Sequence, residues 1–85
     1  MKSFNHTLNA NPMPLTGLAR LVSIADCYPD TTCKLEMGSR WADISRPIKL
    51  AALGLRKGDT VTVSVEGPSE VEMFDVLCQY FGTAV

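Results

Sequence analysis

Residues 60–65 alternate strictly between polar and apolar side chains, and this alternation restricts the folds that the chain can adopt. A valine stands at every second position, with threonine or serine between, which is typical of a strand with one buried face. Residues 4–9 and 31–37 show the same period of two, and residues 40–44 follow a Gly-Ser turn. We therefore expect four strands, the second and third joined as a hairpin.

Three segments between these strands have helical spacing instead. Apolar side chains recur at three- and four-residue intervals over residues 18–25 and again over residues 69–81, which opens with a Ser-x-x-Glu capping box. Ser45 is expected to cap a shorter helix that has Pro47 in its first turn and ends before Gly54. The predicted order is βαββαβα, an α+β fold with the helices on one face of a four-stranded antiparallel sheet.

Length and composition restrict the classes of protein further. With 85 residues, of which 46% are hydrophobic and 20% charged, we expect one folded domain over residues 1–85 and no intrinsic disorder. The start lacks the apolar segment of a signal peptide, and no run approaches the roughly 20 apolar residues that span a bilayer. Three cysteines without a C-x-x-C pair predict no disulfide framework and no metal site, so we expect a cytoplasmic protein without membrane insertion.

The near-neutral net charge of −1 conceals a division along the chain. Residues 34–57 carry six bases against two acids, whereas residues 58–85 carry five acids and no base. The overall charge argues against nucleic-acid binding, which requires a basic excess. The basic middle could be an ordinary solvated surface or a face that docks a partner.

Two segments resemble a known family. Residues 48–55 read IKLAALGL and residues 57–67 read KGDTVTVSVEG. They resemble the second helix and fourth strand of HPr, the histidine-containing phosphocarrier of the bacterial sugar phosphotransferase system. The resemblance covers nearly the whole chain and implies the HPr-like open-faced β-sandwich.

The resemblance is weakest where the HPr family carries its chemistry. Those proteins have a histidine just before the first helix, which accepts and passes on a phosphoryl group, and an arginine two residues later. Here the histidine position holds Pro14 or Leu15, and the arginine position holds Thr16 or Gly17. The only histidine, His6, lies on the first predicted strand, roughly 25 Å away if the chain is extended. We expect it to be a satisfied core residue.

Many HPr proteins also carry a regulatory serine at the start of the second helix. Arg46 occupies that position here, and Ser45 is its neighbour. Ser45 and Thr16 are the possible phosphorylation sites that remain, although both residues also suit helix caps. An active phosphotransfer component modified at Thr16 or Ser45 is therefore the alternative to a silent carrier.

The resemblance places partner docking on the start of the first helix and on the second helix. In this chain such a surface is a small apolar patch rimmed by bases, which suits an acidic partner. Its residues would be Leu15, Thr16, Arg20, Arg46, Pro47, Ile48, Lys49 and Ala51.

Trp41 is a second candidate for contact with a partner. The alternation of its strand points it to the open face of the sheet, where it would anchor a protein or cover neighbouring side chains. The neighbours expected there are Lys34, Glu36, Thr60, Thr62 and Ser64.

Together these features predict an HPr-like protein that is not an enzyme, needs no cofactor or metal, and acts by protein–protein binding or regulation. The expected partners are proteins, including phosphotransferase-system or regulatory proteins. A chain that keeps only the fold, outside any phosphotransferase context, is a third interpretation.

Overall fold

The computed structural model describes the backbone of residues 1–9 and 15–83, and the side chains of residues 1–9 and 19–82. Its elements follow the predicted order. They are β1 (Lys2–Thr7), α1 (Leu15–Cys27), β2 (Thr32–Met37), β3 (Arg40–Asp43), α2 (Pro47–Ala52), β4 (Thr60–Glu66) and α3 (Glu70–Thr83).

The four strands form one antiparallel sheet in the order β1-β4-β2-β3. The alternating valines of β4 are fully buried, and Val63 lies opposite Phe4 on one side and Leu35 on the other. Because β4 is a central strand, its apolar side chains form the floor of the core. The prediction of a four-stranded sheet covered on one face is confirmed.

The three helices lie side by side over the buried face of the sheet. α3 packs on β1 and β4, α2 packs on β3, and α1 contacts both of the other helices. Leu21, Leu50, Leu77 and Phe81 point from these helices into the core and are almost inaccessible to solvent. The helix layer therefore runs from α3 on the β1 side to α2 on the β3 side.

The expected cap of α2 is wrong. The N-cap residue is Arg46, without a side-chain hydrogen bond to the helix. Ser45 instead donates both its backbone N–H and its hydroxyl to Oδ1 of Asp43, at 2.9 and 2.8 Å. An aspartate two residues earlier in a turn captures these donors, and Arg46 N–H bonds the carbonyl of Asp43 at 3.0 Å. The Ser45 hydroxyl therefore stabilises the β3–α2 turn.

The start of α3 is tied to the loop between α1 and β2. Ser69 donates its N–H to Oγ1 of Thr31 at 2.9 Å and its hydroxyl to Oδ2 of Asp30 at 3.3 Å. Thr31 in turn donates its hydroxyl to Oδ1 of Asp30 at 3.1 Å. Ser69 thus immediately precedes the helix, as expected, but its hydroxyl binds the neighbouring loop.

Within the described ranges, no helix has both the length and the apolar character that a membrane span requires.

Candidate functional site

α2 presents most of the predicted docking residues together. We call Arg46, Pro47, Ile48, Lys49 and Ala51 the α2 face, because all five are exposed on this short helix and its N-cap. Ile48 has 85% of its surface accessible. Leu50 is the buried residue that fixes the helix to the core, so its neighbours on the helix are left facing solvent.

Further bases surround the α2 face. Arg40 at the start of β3 donates from Nη2 to the carbonyl oxygen of Ala52, the last residue of α2. A cation at a helix C-terminus interacts favourably with the carbonyl end of the helix dipole. Arg56 and Lys57 follow in the next turn, and both are exposed. Three of the six bases of residues 34–57, Arg40, Arg46 and Lys49, therefore lie on α2 or contact it, and Lys34 lies on the open face of the sheet.

Arg20, another of the predicted docking residues, is exposed on α1. Burial raises the pKa of the Tyr80 hydroxyl, and the charge of Arg20 partly opposes this increase. Arg20 is thus close enough to Tyr80 on α3 for its charge to act on the hydroxyl.

The residues at the expected histidine position fall largely outside the described part of the chain. Pro14 lies outside it, and the side chains of Leu15 and Thr16 do as well. The backbone shows that α1 begins at Leu15. Thr16 is therefore inside the first turn and not the residue that precedes the helix.

Ser45 is exposed beside an acidic cleft. The cleft has a volume of about 340 Å³ and is lined by the end of α1, the start of β2 and the end of β3. Its lining includes the carboxylates of Asp26 and Asp43, the second of which accepts the Ser45 hydroxyl hydrogen bond. A phosphoryl group on Ser45 would replace this hydrogen bond with repulsion between like charges.

Trp41 lies on the open face of the sheet, as expected, and is 56% exposed. The Nζ atom of Lys34 stands 4.7 Å from the centroid of its ring, within the range of a cation–π interaction. Glu36 is its cross-strand partner. Thr62 and Ser64 share this face, but they lie on β4, which β2 separates from β3.

His6 points into the molecule from β1. It lies opposite Val61, and its ring is tilted against that of Phe81 at a centroid distance of 5.4 Å. Its Nε2 atom is buried and has no hydrogen-bond partner among the described residues. His6 is therefore half-buried on the side of β1 that faces the core.

A second exposed face lies on α3 and was not predicted from the sequence. We call Val71, Glu72 and Asp75 the α3 face, because all three side chains are exposed on the outer side of this helix. Val71 has 59% of its surface accessible. Val71 and Asp75 are four residues apart, and this spacing, which places them on the same side of a helix, could have indicated the face from the sequence.

Among the residues that the structure describes, no group of three or more histidine, cysteine or acidic side chains is arranged to hold a metal ion.

Solved structures with the same fold include HPr-C-His from Thermoanaerobacter tengcongensis, at 20% identity and a TM-score of 0.86 over 98% of this chain and 93% of that chain. The histidine-containing phosphocarrier protein of Mycoplasma matches at 10% identity and a TM-score of 0.83, over 92% of this chain and 89% of that chain. The phosphocarrier protein HPr of Bacillus anthracis matches at 16% identity and a TM-score of 0.82, over 94% of this chain and 95% of that chain. These likenesses confirm the fold.

Comparison with curated proteins gave no significant match. The family model described as "PTS HPr component phosphorylation site" matches residues 17–83, which is most of the chain. The matched span includes all three helices except the first two residues of α1, together with strands β2 to β4. The chain therefore belongs to the PTS HPr family.

Proposed function

We propose that this HPr-family protein does not carry phosphate on a histidine and acts by binding a protein partner through the α2 face. The observation that carries the proposal is the position of its only histidine. His6 faces the core from β1, and its Nε2 atom is buried beside Phe81. A phosphoryl acceptor must present its nitrogen to a donor protein. His6 stands on β1 instead of before α1, and its Nε2 atom is closed to such a donor.

The surface of α2 supports the binding part of the proposal. Ile48 is exposed between Arg46 and Lys49, so an apolar contact is flanked by positive charge. Interfaces commonly have a small apolar centre with a polar rim, and the charges steer the encounter with an acidic partner. The partners we propose are phosphotransferase-system or regulatory proteins with an acidic docking surface, in the cytoplasm.

A phosphorylation assay tests the first part. The protein is incubated with the general phosphotransferase enzyme and phosphoenolpyruvate, with a histidine-containing HPr as the positive control, and intact mass is measured at neutral pH and after acid treatment. We expect the control to gain one acid-labile phosphoryl group and this chain to gain none. A stoichiometric acid-labile gain would overturn the proposal.

A binding measurement tests the second part. Titration calorimetry with the general phosphotransferase enzyme compares the unmodified chain with an Arg46→Glu, Ile48→Glu variant. The matched control is Lys34→Glu, Val71→Glu, which makes the same kinds of substitution at exposed positions outside the α2 face. We expect at least a tenfold loss of affinity in the first variant alone. Equal affinity in both variants would exclude the α2 face as the docking site.

The alternative, phosphorylation of a hydroxyl group, can be tested at Ser45, because its side chain is exposed beside α2. Incubation with ATP and an HPr kinase would then give an acid-stable mass gain that is lost in Ser45→Ala. Thr16→Ala tests the other hydroxyl in the same assay. The acidic surroundings of Ser45 favour the absence of such a gain at this residue.

A further inference from the structure

The two faces with exposed aliphatic residues lie on opposite sides of the helix layer. α2 packs over β3 at one edge of the sheet, whereas α3 packs over β1 and β4 at the other, with α1 between them. The α2 face and the α3 face therefore lie over opposite edges of the sheet. A single molecule presents both at once.

The two faces are also chemically complementary. Each has one exposed aliphatic residue and, on the same helix or its N-cap, two exposed side chains of one charge sign. Ile48 lies with Arg46 and Lys49, and Val71 lies with Glu72 and Asp75. Nearby, Glu70 is paired with the amino group of Met1 at 3.1 Å, and Nζ of Lys2 stands 5.5 Å from the centroid of the Phe74 ring. The acids exposed beside Val71 itself are Glu72 and Asp75.

From this complementarity we propose that the α3 face of one copy docks on the α2 face of another, so that the protein associates head to tail. The proposal rests on the docking role proposed above for the α2 face and assigns it a partner, a second copy of this chain. The net charge of −1 produces little overall repulsion between copies. The separated charges therefore decide how two molecules orient.

The placement of the faces determines the kind of assembly. An interface between two different faces closes into a ring or continues as an open chain of subunits. Because the two faces lie over opposite edges of the sheet, a pair of copies joined through one α2 face and one α3 face leaves one of each free. The average mass should therefore continue to rise with concentration beyond that of a dimer.

The association should be weak and dependent on salt. Both faces are short helical surfaces, so the buried area falls below the roughly 1,200 Å² of stable standard interfaces. Salt shortens the Debye length from about 30 Å at 0.01 M to about 3 Å at 1 M. Attraction between the two faces is therefore strong only at low ionic strength.

Sedimentation equilibrium over a concentration series tests the proposal with two charge-reversed proteins. One carries Arg46→Glu and Lys49→Glu, and the other carries Glu72→Lys and Asp75→Lys. We expect the unmodified chain to exceed monomer mass at about 0.01 M salt and to return to it at about 1 M. Each reversed protein should be monomeric alone, whereas an equimolar mixture should associate because opposite charges face each other again.

A control separates the specific faces from net charge. Glu36→Lys with Glu66→Lys changes net charge as much as the α3 reversal, but at exposed positions on the open sheet face. It should associate like the unmodified chain at low salt. Monomer mass of the unmodified chain at every salt concentration, undiminished association in either reversed protein, or no association in the mixture would each overturn the proposal.

The two proposals can fail separately. Suppose that the Arg46→Glu, Ile48→Glu variant loses binding to the phosphotransferase enzyme and that the unmodified chain never self-associates. The docking role would then stand, and this inference would be refuted. If self-association instead responds to the charge reversals as expected while the chain does not bind that enzyme, this inference stands and the proposed docking of that enzyme is refuted.

Discussion

Gly67 lies so close to Thr31 that a Cβ atom on this glycine would stand 2.7 Å from the Cα of Thr31. The carbonyl oxygen of Asp30 would be equally near, and the φ angle of Gly67 is +144°. The turn between β4 and α3 is therefore packed directly against the loop between α1 and β2. Ser69, the residue before α3, is hydrogen-bonded to the same loop.

Gly67→Ala should reduce the free energy of unfolding by at least about 2 kcal/mol, because the added methyl group meets backbone atoms and the φ angle suits glycine. Urea denaturation measures the loss. Gly58→Ala is the matched control, since Gly58 also has a positive φ angle but no atom within 4 Å of an added Cβ. Equal losses in the two variants would show that the close contact contributes nothing.

Thr31→Val should cost about 1–3 kcal/mol, because the Ser69 N–H loses its acceptor in a part-buried position. The comparison is Thr62→Val on the open face of the sheet, where the hydroxyl donates to Oδ1 of Asn5 in an exposed pair. That substitution should cost less than about 0.5 kcal/mol. Chemical denaturation of both variants checks the order, and a larger loss at Thr62 would contradict it.

His6→Leu should leave the free energy of unfolding unchanged or raise it by up to about 1 kcal/mol. The substitution removes a buried nitrogen that lacks a hydrogen bond, while an apolar side chain can still pack against Phe81. Thermal and urea denaturation measure the change. A loss of more than about 2 kcal/mol would mean that the imidazole makes an interaction that a leucine cannot replace.

Cys33 makes stability fall at alkaline pH. Burial, and then the charge of Asp43, raise the pKa of this thiol from 9.0 to about 12. Between these values the unfolded thiol ionises while the folded one stays protonated, so the free energy of unfolding falls as pH rises. The decrease is about 1.4 kcal/mol per pH unit and ends near pH 12, where the folded thiol also ionises.

Comparison with Cys33→Ala isolates this contribution from other alkaline titrations. The difference in free energy of unfolding between the unmodified chain and the variant should be constant below about pH 8. From pH 8 to pH 10 the unmodified chain should lose about 1.4 kcal/mol relative to the variant. Denaturation at these pH values measures it. An unchanged difference would show that the Cys33 thiol titrates alike in both states.

Local patterns were sufficient to predict the element order and the buried face of the sheet. The alternation in β4 and the spacing of α1 concern residues within one element, and their side-chain directions follow from backbone geometry. The exposure of Trp41 was predictable for the same reason. Its contact with Lys34 belongs to the β2–β3 hairpin, whereas the distance from Trp41 to Thr62 depends on the strand order.

The Ser45 hydroxyl shows the limit of such reasoning. A serine before a proline-led helix suits a cap, yet Asp43 competes for its donors and obtains them. The helix cap and the bond to Asp43 both involve residues only a few positions from Ser45. The path of the turn between β3 and α2 determines which of the two hydrogen bonds forms. Packing of Leu50 into the core constrains that path.

The sequence by itself determined the strand and helix pattern, the division of charge along the chain, and the presence of one histidine on a strand instead of before α1. The tertiary structure decided which surfaces carry those charges. It gathered Arg46 and Lys49 beside Ile48 over one edge of the sheet and placed Val71 with its acidic neighbours over the other. Periodicity acts within an element, whereas the relation between elements depends on the order in which strands pair and on the face that the helices cover.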